Sequence, residues 1–172
     1  MKLDKVILSS DDNPDYLEFW PIVSEAWRNI GIEPILFYTG KNKIKNENVF
    51  NFNLEKCDSA FLAQNIRLLA PTLFPNDTCI ISDIDNMPLS EDYFQGNIVN
   101  IADNQFIIYR PDATSEDMIS IMWNAAKGSK WIDIFEVDSV ESITKKLLSW
   151  YPENYSIGGD NWYHDQKILK EY

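Results

Sequence analysis

The chain has 172 residues and a formal net charge of −12, from 15 Lys+Arg against 27 Asp+Glu. Hydrophobic residues make up 45% and charged residues 24%, which excludes wholesale disorder and fits one domain with a real core. The acidic excess excludes a nucleic-acid-binding surface, which needs clustered Lys and Arg against phosphates. A small anionic ligand held through a bound cation stays compatible with that charge. Cys57 and Cys79, the only cysteines, make neither a disulfide framework nor a zinc cluster. No run reaches the ~20 apolar residues of a bilayer span. The stretch after Met1-Lys2-Leu3-Asp4-Lys5 is too short for a signal peptide. The expectation is a soluble, cytoplasmic protein with no transmembrane segment.

In chain order, Lys5 to Ser10 reads as a short buried strand ending in polar residues. Asp11, Asp12, Asn13 and Pro14 supply helix-start chemistry. Tyr16, Phe19, Trp20, Val23, Trp27 and Ile30 recur at helical spacing, and Gly31 stops that helix. Ile32 to Tyr38 is a second strand, which makes a strand-helix-strand unit and predicts parallel pairing. Val49 to Phe52 reads as a third short strand, and Ser59 to Leu69 as a helix ended by Pro71. Thr78 to Ser82 is another buried strand. Further on, 97–102 and 105–109 read as two strands, and 115–127 as a helix closed by Gly128. Residues 131–135 and 140–150 read as helical pieces, followed by an aromatic and polar tail.

The informative segment is Ile81-Ser82-Asp83-Ile84-Asp85-Asn86-Met87-Pro88-Leu89. Side chains alternate along a strand, so Asp83 and Asp85 can point the same way at its carboxyl end. Two such carboxylates stay ionised together only with a compensating cation or a shared proton. Mg²⁺ or Mn²⁺ is the natural compensator, being hard and oxygen-preferring. The competing reading is a solvated turn after a strand. In open α/β sheets ligands bind beyond the carboxyl ends of strands, which places a site at this motif.

This motif resembles the Asp-x-Asp region of GT-A-fold nucleotide-diphospho-sugar glycosyltransferases. Gln64 to Pro71 is similar to the arginine-bearing helix before it, and 125–128 and 162–166 to later segments of small, soluble members. Small soluble members occur in bacteria and in large DNA viruses. The resemblance implies an α/β, Rossmann-type mixed, mainly parallel sheet flanked by helices. It implies a single domain over 1–172, with a nucleotide-binding part of about 1–86 and an acceptor and sugar part of about 87–172. The implied activity is transfer of a sugar from a nucleotide-diphosphate donor, UDP-sugar preferred, to a carbohydrate or glycan acceptor, dependent on Mn²⁺ or Mg²⁺.

The resemblance also distributes roles. Asp85 and Asp83 would ligate the cation, or Asp83 would hydrogen-bond ribose or sugar, and His164 would be a third ligand. Ser9, Ser10 and Asp11 would meet the nucleoside, with N-capping by Asp11 or Asn13 as the alternative. Tyr38 is a candidate for stacking on the base. Arg67 is a candidate second positive group for the donor, or a structural ion-pair partner of an acid such as Asp83. Asp165 is the first choice for general base and Asp160 the second, with pairing or capping inside the last helix as the alternative for Asp165. His164 is equally readable as a packing residue. Trp131 and Trp162 are candidates for a sugar-facing platform, whereas Trp20, Trp27, Trp123 and Trp150 read as packing residues. A haloacid-dehalogenase-like phosphatase competes, with Asp83 as nucleophile, Asp85 as acid/base, Mg²⁺, and Lys127 or Lys130 as the required lysine. A non-catalytic nucleotide-sugar-binding module is the third reading.

Overall fold

The computed structural model describes residues 1–113 and 115–172. A six-stranded sheet runs β3-β2-β1-β4-β6-β5. Its strands are β1 (Lys5–Ser10), β2 (Glu33–Tyr38), β3 (Val49–Asn51), β4 (Thr78–Ile81), β5 (Ile107–Ile108) and β6 (Asn124–Lys127). β3, β2, β1 and β4 are parallel to one another, while β6 is antiparallel to β4 and β5 to β6. The expected mixed, mainly parallel α/β sheet is therefore present. Among the described residues, six α-helices accompany the sheet: α1 (Pro14–Leu17), α2 (Trp20–Asn29), α3 (Ser59–Leu69), α4 (Gly128–Phe135), α5 (Val140–Trp150) and α6 (His164–Glu171).

The strand alternation feeds two cores, one on each face. Val6 and Leu8 of β1 join Trp20, Val23 and Trp27 of α2 on one face. Ile7 joins Phe61, Ile66, Trp131 and Phe135 on the other, where α3, α4, α5 and α6 pack. Among the described residues, no helix is long and apolar enough to cross a membrane.

Four elements depart from the sequence reading. The single helix expected from Tyr16 to Ile30 is two, because Pro21 has no N–H to continue a helix and sits in the first turn of α2. The expected strand at 97–102 is a series of turns: Ile98 is buried while Val99 is 63% exposed, and Ile101 packs three residues on. At 105–109 only Ile107 and Ile108 pair in the sheet. The helix expected over 115–127 is irregular and ends as β6. Ala125 and Ala126 lie opposite Ile80 and Cys79, so the edge of β4 recruits a segment whose local preference is helical. Asn124 closes the preceding loop through its side-chain amide, which donates to the carbonyls of Ser120 and Ile121.

Gly128 joins β6 to α4 where backbones crowd. Its N–H donates to the Asp77 carbonyl at 2.8 Å, and a Cβ there would overlap the carbonyl oxygens of Phe74 and Pro71. Gly128→Ala is expected to cost about 1–3 kcal/mol, read as a lower denaturant midpoint with an unchanged m-value.

Candidate functional site

The sheet reverses its order at β1. The chain winds outward from β1 through β2 to β3, then returns to place β4 on the other side of β1. A crevice opens at such a switch point, beyond the carboxyl ends of the strands. Here it is a cavity of about 640 Å³. Ser9, Ser10 and Asp11 at the end of β1 form one wall, and Asp83, Asp85 and Asn86 after β4 form the next. Ala60, Ala63, Gln64 and Arg67 form a third, on one stripe of α3 at helical spacing. Trp162, Tyr163, Asp165 and Gln166 close it from the C-terminal segment.

Arg67 organises this site. It is 8% exposed, and its guanidinium meets carboxylates on two different segments. Nη1 donates to Asp83 Oδ1, Nη2 to Asp165 Oδ2 at 2.8 Å, and Nε to the Gln64 carbonyl at 3.1 Å. Burial opposes the guanidinium's charge, but the two carboxylates outweigh it and raise its pKa, so Arg67 stays protonated. Asp165 is 2% exposed, and burial pushes its carboxyl upward while Arg67 opposes that shift. Its second oxygen accepts the Gln166 N–H at 2.9 Å. With both oxygens engaged, Asp165 has the setting of an anchor for Arg67, not of a free base. Asp160 is exposed and outside the cavity wall.

The two motif carboxylates differ. Asp83 spends one oxygen on Arg67, and among the described residues its other oxygen faces Asn86 Nδ2 at 3.4 Å. Asp85 has no cationic partner among the described residues, and Asn86 Nδ2 lies 3.4 Å from its Oδ1. The residue is exposed, yet partial burial of the carboxyl in the concave mouth and the Asp83 charge raise its pKa, with Arg67 pulling the other way. A hard divalent cation fits this donor set. Mg²⁺ commonly takes one or two protein carboxylates and completes its shell with water and phosphate oxygens. Among the described residues no group of three or more His, Cys, Asp or Glu side chains converges.

His164 is not brought to the aspartates. Its ring packs against Phe61 and Trp150, and Nδ1 lies 2.8 Å from Asn65 Oδ1. Asn65 Nδ2 already donates to the Phe61 carbonyl, so its oxygen is the acceptor, which assigns the proton to His164 Nδ1. Burial lowers the His164 pKa. The unfolded chain then binds the proton more readily, so this contribution to stability is complete above about pH 6.5 and falls as pH drops below it. His164→Gln is expected to flatten the decline in Tm between about pH 7.5 and 5.5; an unaltered slope would contradict that assignment.

Tyr38 is also placed elsewhere. It is 2% exposed, turned into the α2-side core with Leu36, and its hydroxyl donates to Asp12, so it offers no face for stacking. Burial, then Asp12, push its pKa up to about 12. Ser9 Oγ donates to the Ala63 carbonyl and Ser10 Oγ to the Asp11 carbonyl. Asp11 lines the cavity and accepts the Asn13 N–H at 3.0 Å and the Ser59 hydroxyl at 3.1 Å, while the cap of α1 is Asn13, whose side chain accepts the Asp15 N–H. Trp131 is fully buried in the core, whereas Trp162 lines the cavity. Gln64, Gln166 and Tyr16 also line it without having been singled out. The stripe 60-63-64-67 was the available signal for Gln64.

No family model matches the chain, and no curated protein matches it. Among solved structures it is similar to the galactosyltransferase LgtC in complex with donor and acceptor sugar analogues. That match has 13% identity over 96% of this chain and 69% of that one, with a TM-score of 0.48. It is also similar to the apo form of the glycosyltransferase GlyE of Streptococcus pneumoniae TIGR4. There the identity is 12% over 90% of this chain and 45% of that one, with a TM-score of 0.44. The chain thus spans less than half the length of GlyE.

The phosphatase alternative needs a lysine beside the aspartates. Lys127 pairs in register with Thr78, at the opposite end of β4 from Asp83, and its ammonium faces Asp103 at 3.7 Å. Lys130 follows in α4, and neither lysine lines the cavity.

Proposed function

We propose that this chain is a glycosyltransferase that moves a sugar from a nucleotide-diphosphate donor, a UDP-sugar by preference, to a hydroxyl of a carbohydrate or glycan acceptor with Mn²⁺ or Mg²⁺. The observation that carries the reading is the Asp83 and Asp85 pair at the carboxyl end of β4, opening into a cavity at the sheet's switch point. Asp85 and the Asp83 oxygen turned away from Arg67 would hold the cation. When bound, that cation neutralises charge on the departing diphosphate as a Lewis acid. Ser9, Ser10 and Asp11, on the β1 wall, meet the nucleoside. Arg67 acts indirectly: with Asp165 behind it, it fixes the Asp83 carboxylate in one orientation. The amides of Gln64, Asn86 and Gln166 line the cavity and would bond sugar hydroxyls, and Trp162 would offer an aromatic face. The cavity draws on residues 9–86 and 121–166 alike, which supports one functional unit over 1–172 with a nucleotide half and a sugar half.

Release of a nucleoside diphosphate from a panel of nucleotide-diphosphate sugars tests this. Turnover is expected only with Mn²⁺ or Mg²⁺, and no hydrolysis of an aryl phosphate is expected. The reverse pattern would establish the phosphatase. Donor binding with neither hydrolysis nor transfer to any carbohydrate would establish a binding module.

A further inference from the structure

We propose that the cavity is specific for an uncharged sugar and rejects sugars that carry a carboxylate. This deepens the glycosyltransferase reading and rests on it. The supporting observation is the charge of the wall. Among the described residues its acids are Asp11, Asp83, Asp85 and Asp165, against Arg67 as its one cation, which leaves three formal negative charges. That cation is already committed. Nη1 donates to Asp83, Nη2 to Asp165 at 2.8 Å and Nε to the Gln64 carbonyl at 3.1 Å, and the residue is 8% exposed.

A carboxylate on the bound sugar therefore meets no unpaired ammonium or guanidinium. It loses water, gains no charged partner and faces like charge, which is the costly arrangement for a buried anion. The remaining polar groups suit neutral sugars. The amides of Gln64 and Gln166 both donate and accept, the Asn86 amide oxygen accepts while its Nδ2 faces Asp83 and Asp85, and the phenols of Tyr16 and Tyr163 donate and accept. These groups satisfy hydroxyls, ring oxygens or an acetamido group without charge. The divalent cation does not alter the comparison, because the diphosphate it accompanies is common to a neutral donor and its uronate counterpart.

The experiment is calorimetric titration of the whole chain in Mn²⁺ with matched pairs: UDP-glucose and UDP-glucuronate, UDP-galactose and UDP-galacturonate, GDP-mannose and GDP-mannuronate. In any pair that binds, the neutral member is expected to bind about tenfold more tightly or better. Gln166→Lys adds a cation to the wall and is expected to narrow that ratio. A uronate bound as tightly as its neutral partner overturns the specificity while leaving the donor reading intact. A ratio unchanged by Gln166→Lys overturns its electrostatic basis. Failure of every pair to bind in Mn²⁺ overturns the donor reading, and this inference with it.

Discussion

Arg67→Met is expected to destabilise the fold by about 3–5 kcal/mol, because it strands Asp165 as an unpaired charge in the interior. Asp165 is 2% exposed and faces Nη2 at 2.8 Å, so no solvent replaces the lost partner. The double variant Arg67→Met with Asp165→Leu removes both charges. It is expected to recover most of the loss, since a buried ion pair exchanged for apolar groups is often near neutral. Stability and function should then separate. The double variant folds, yet Asp83 has lost the guanidinium that holds one of its oxygens, so donor binding stays weak. Chemical denaturation of the four species gives the coupling energy, and donor titration of the double variant gives the positioning effect. A double variant that binds donor as wild type does would leave Arg67 with a purely structural task.

Asp85→Asn is expected to abolish the metal-dependent part of donor binding and to lower turnover by about 10²–10³-fold, as loss of one strong electrostatic contact does. It is also expected to leave the metal-free protein no less stable. Partial burial and the Asp83 charge raise the Asp85 pKa, so at pH values above that pKa, where the carboxyl is ionised, it costs the folded state stability. An isosteric neutral amide removes that penalty. Tm in metal-free buffer should be equal to or above wild type, while the response to Mn²⁺ disappears. A variant that melts lower and still responds to Mn²⁺ would show Asp85 to be a structural residue.

Much of the fold was legible because local and global preferences agree in the first half. The apolar runs of β1, β2 and β4 are buried parallel strands with few alternative fates, and Ser59 and Leu69 bound α3 as expected. Pro21 was a legible signal that hydrophobic periodicity overrode. The second half misleads for a tertiary reason. Ala125 and Ala126 prefer helix locally, and only the open edge of β4, distant in sequence, makes them a strand.

The site divides along the same line. Asp83, Asp85, Ser9, Ser10 and Asp11 were legible because strand ends in a parallel sheet face the crevice. Tyr38 also ends a strand, but alternation turns it to the α2 face, and its register on β2 decides the matter. His164 and Asp165 are adjacent in sequence, yet one bonds Asn65 and the other Arg67, so the pair docks α6 on α3. That docking depends on pairings about a hundred residues apart, which no local pattern encodes.

The most direct measurement is a thermal shift of the wild-type chain with nucleotide-diphosphate sugars, with and without Mn²⁺. A ligand that binds only the folded state raises Tm, by an amount that grows with the logarithm of its concentration above Kd. The account predicts a rise that requires Mn²⁺ and a donor together and that vanishes in Asp85→Asn. A chain that shows no shift with any donor in Mn²⁺, or the same shift without the metal, would contradict it.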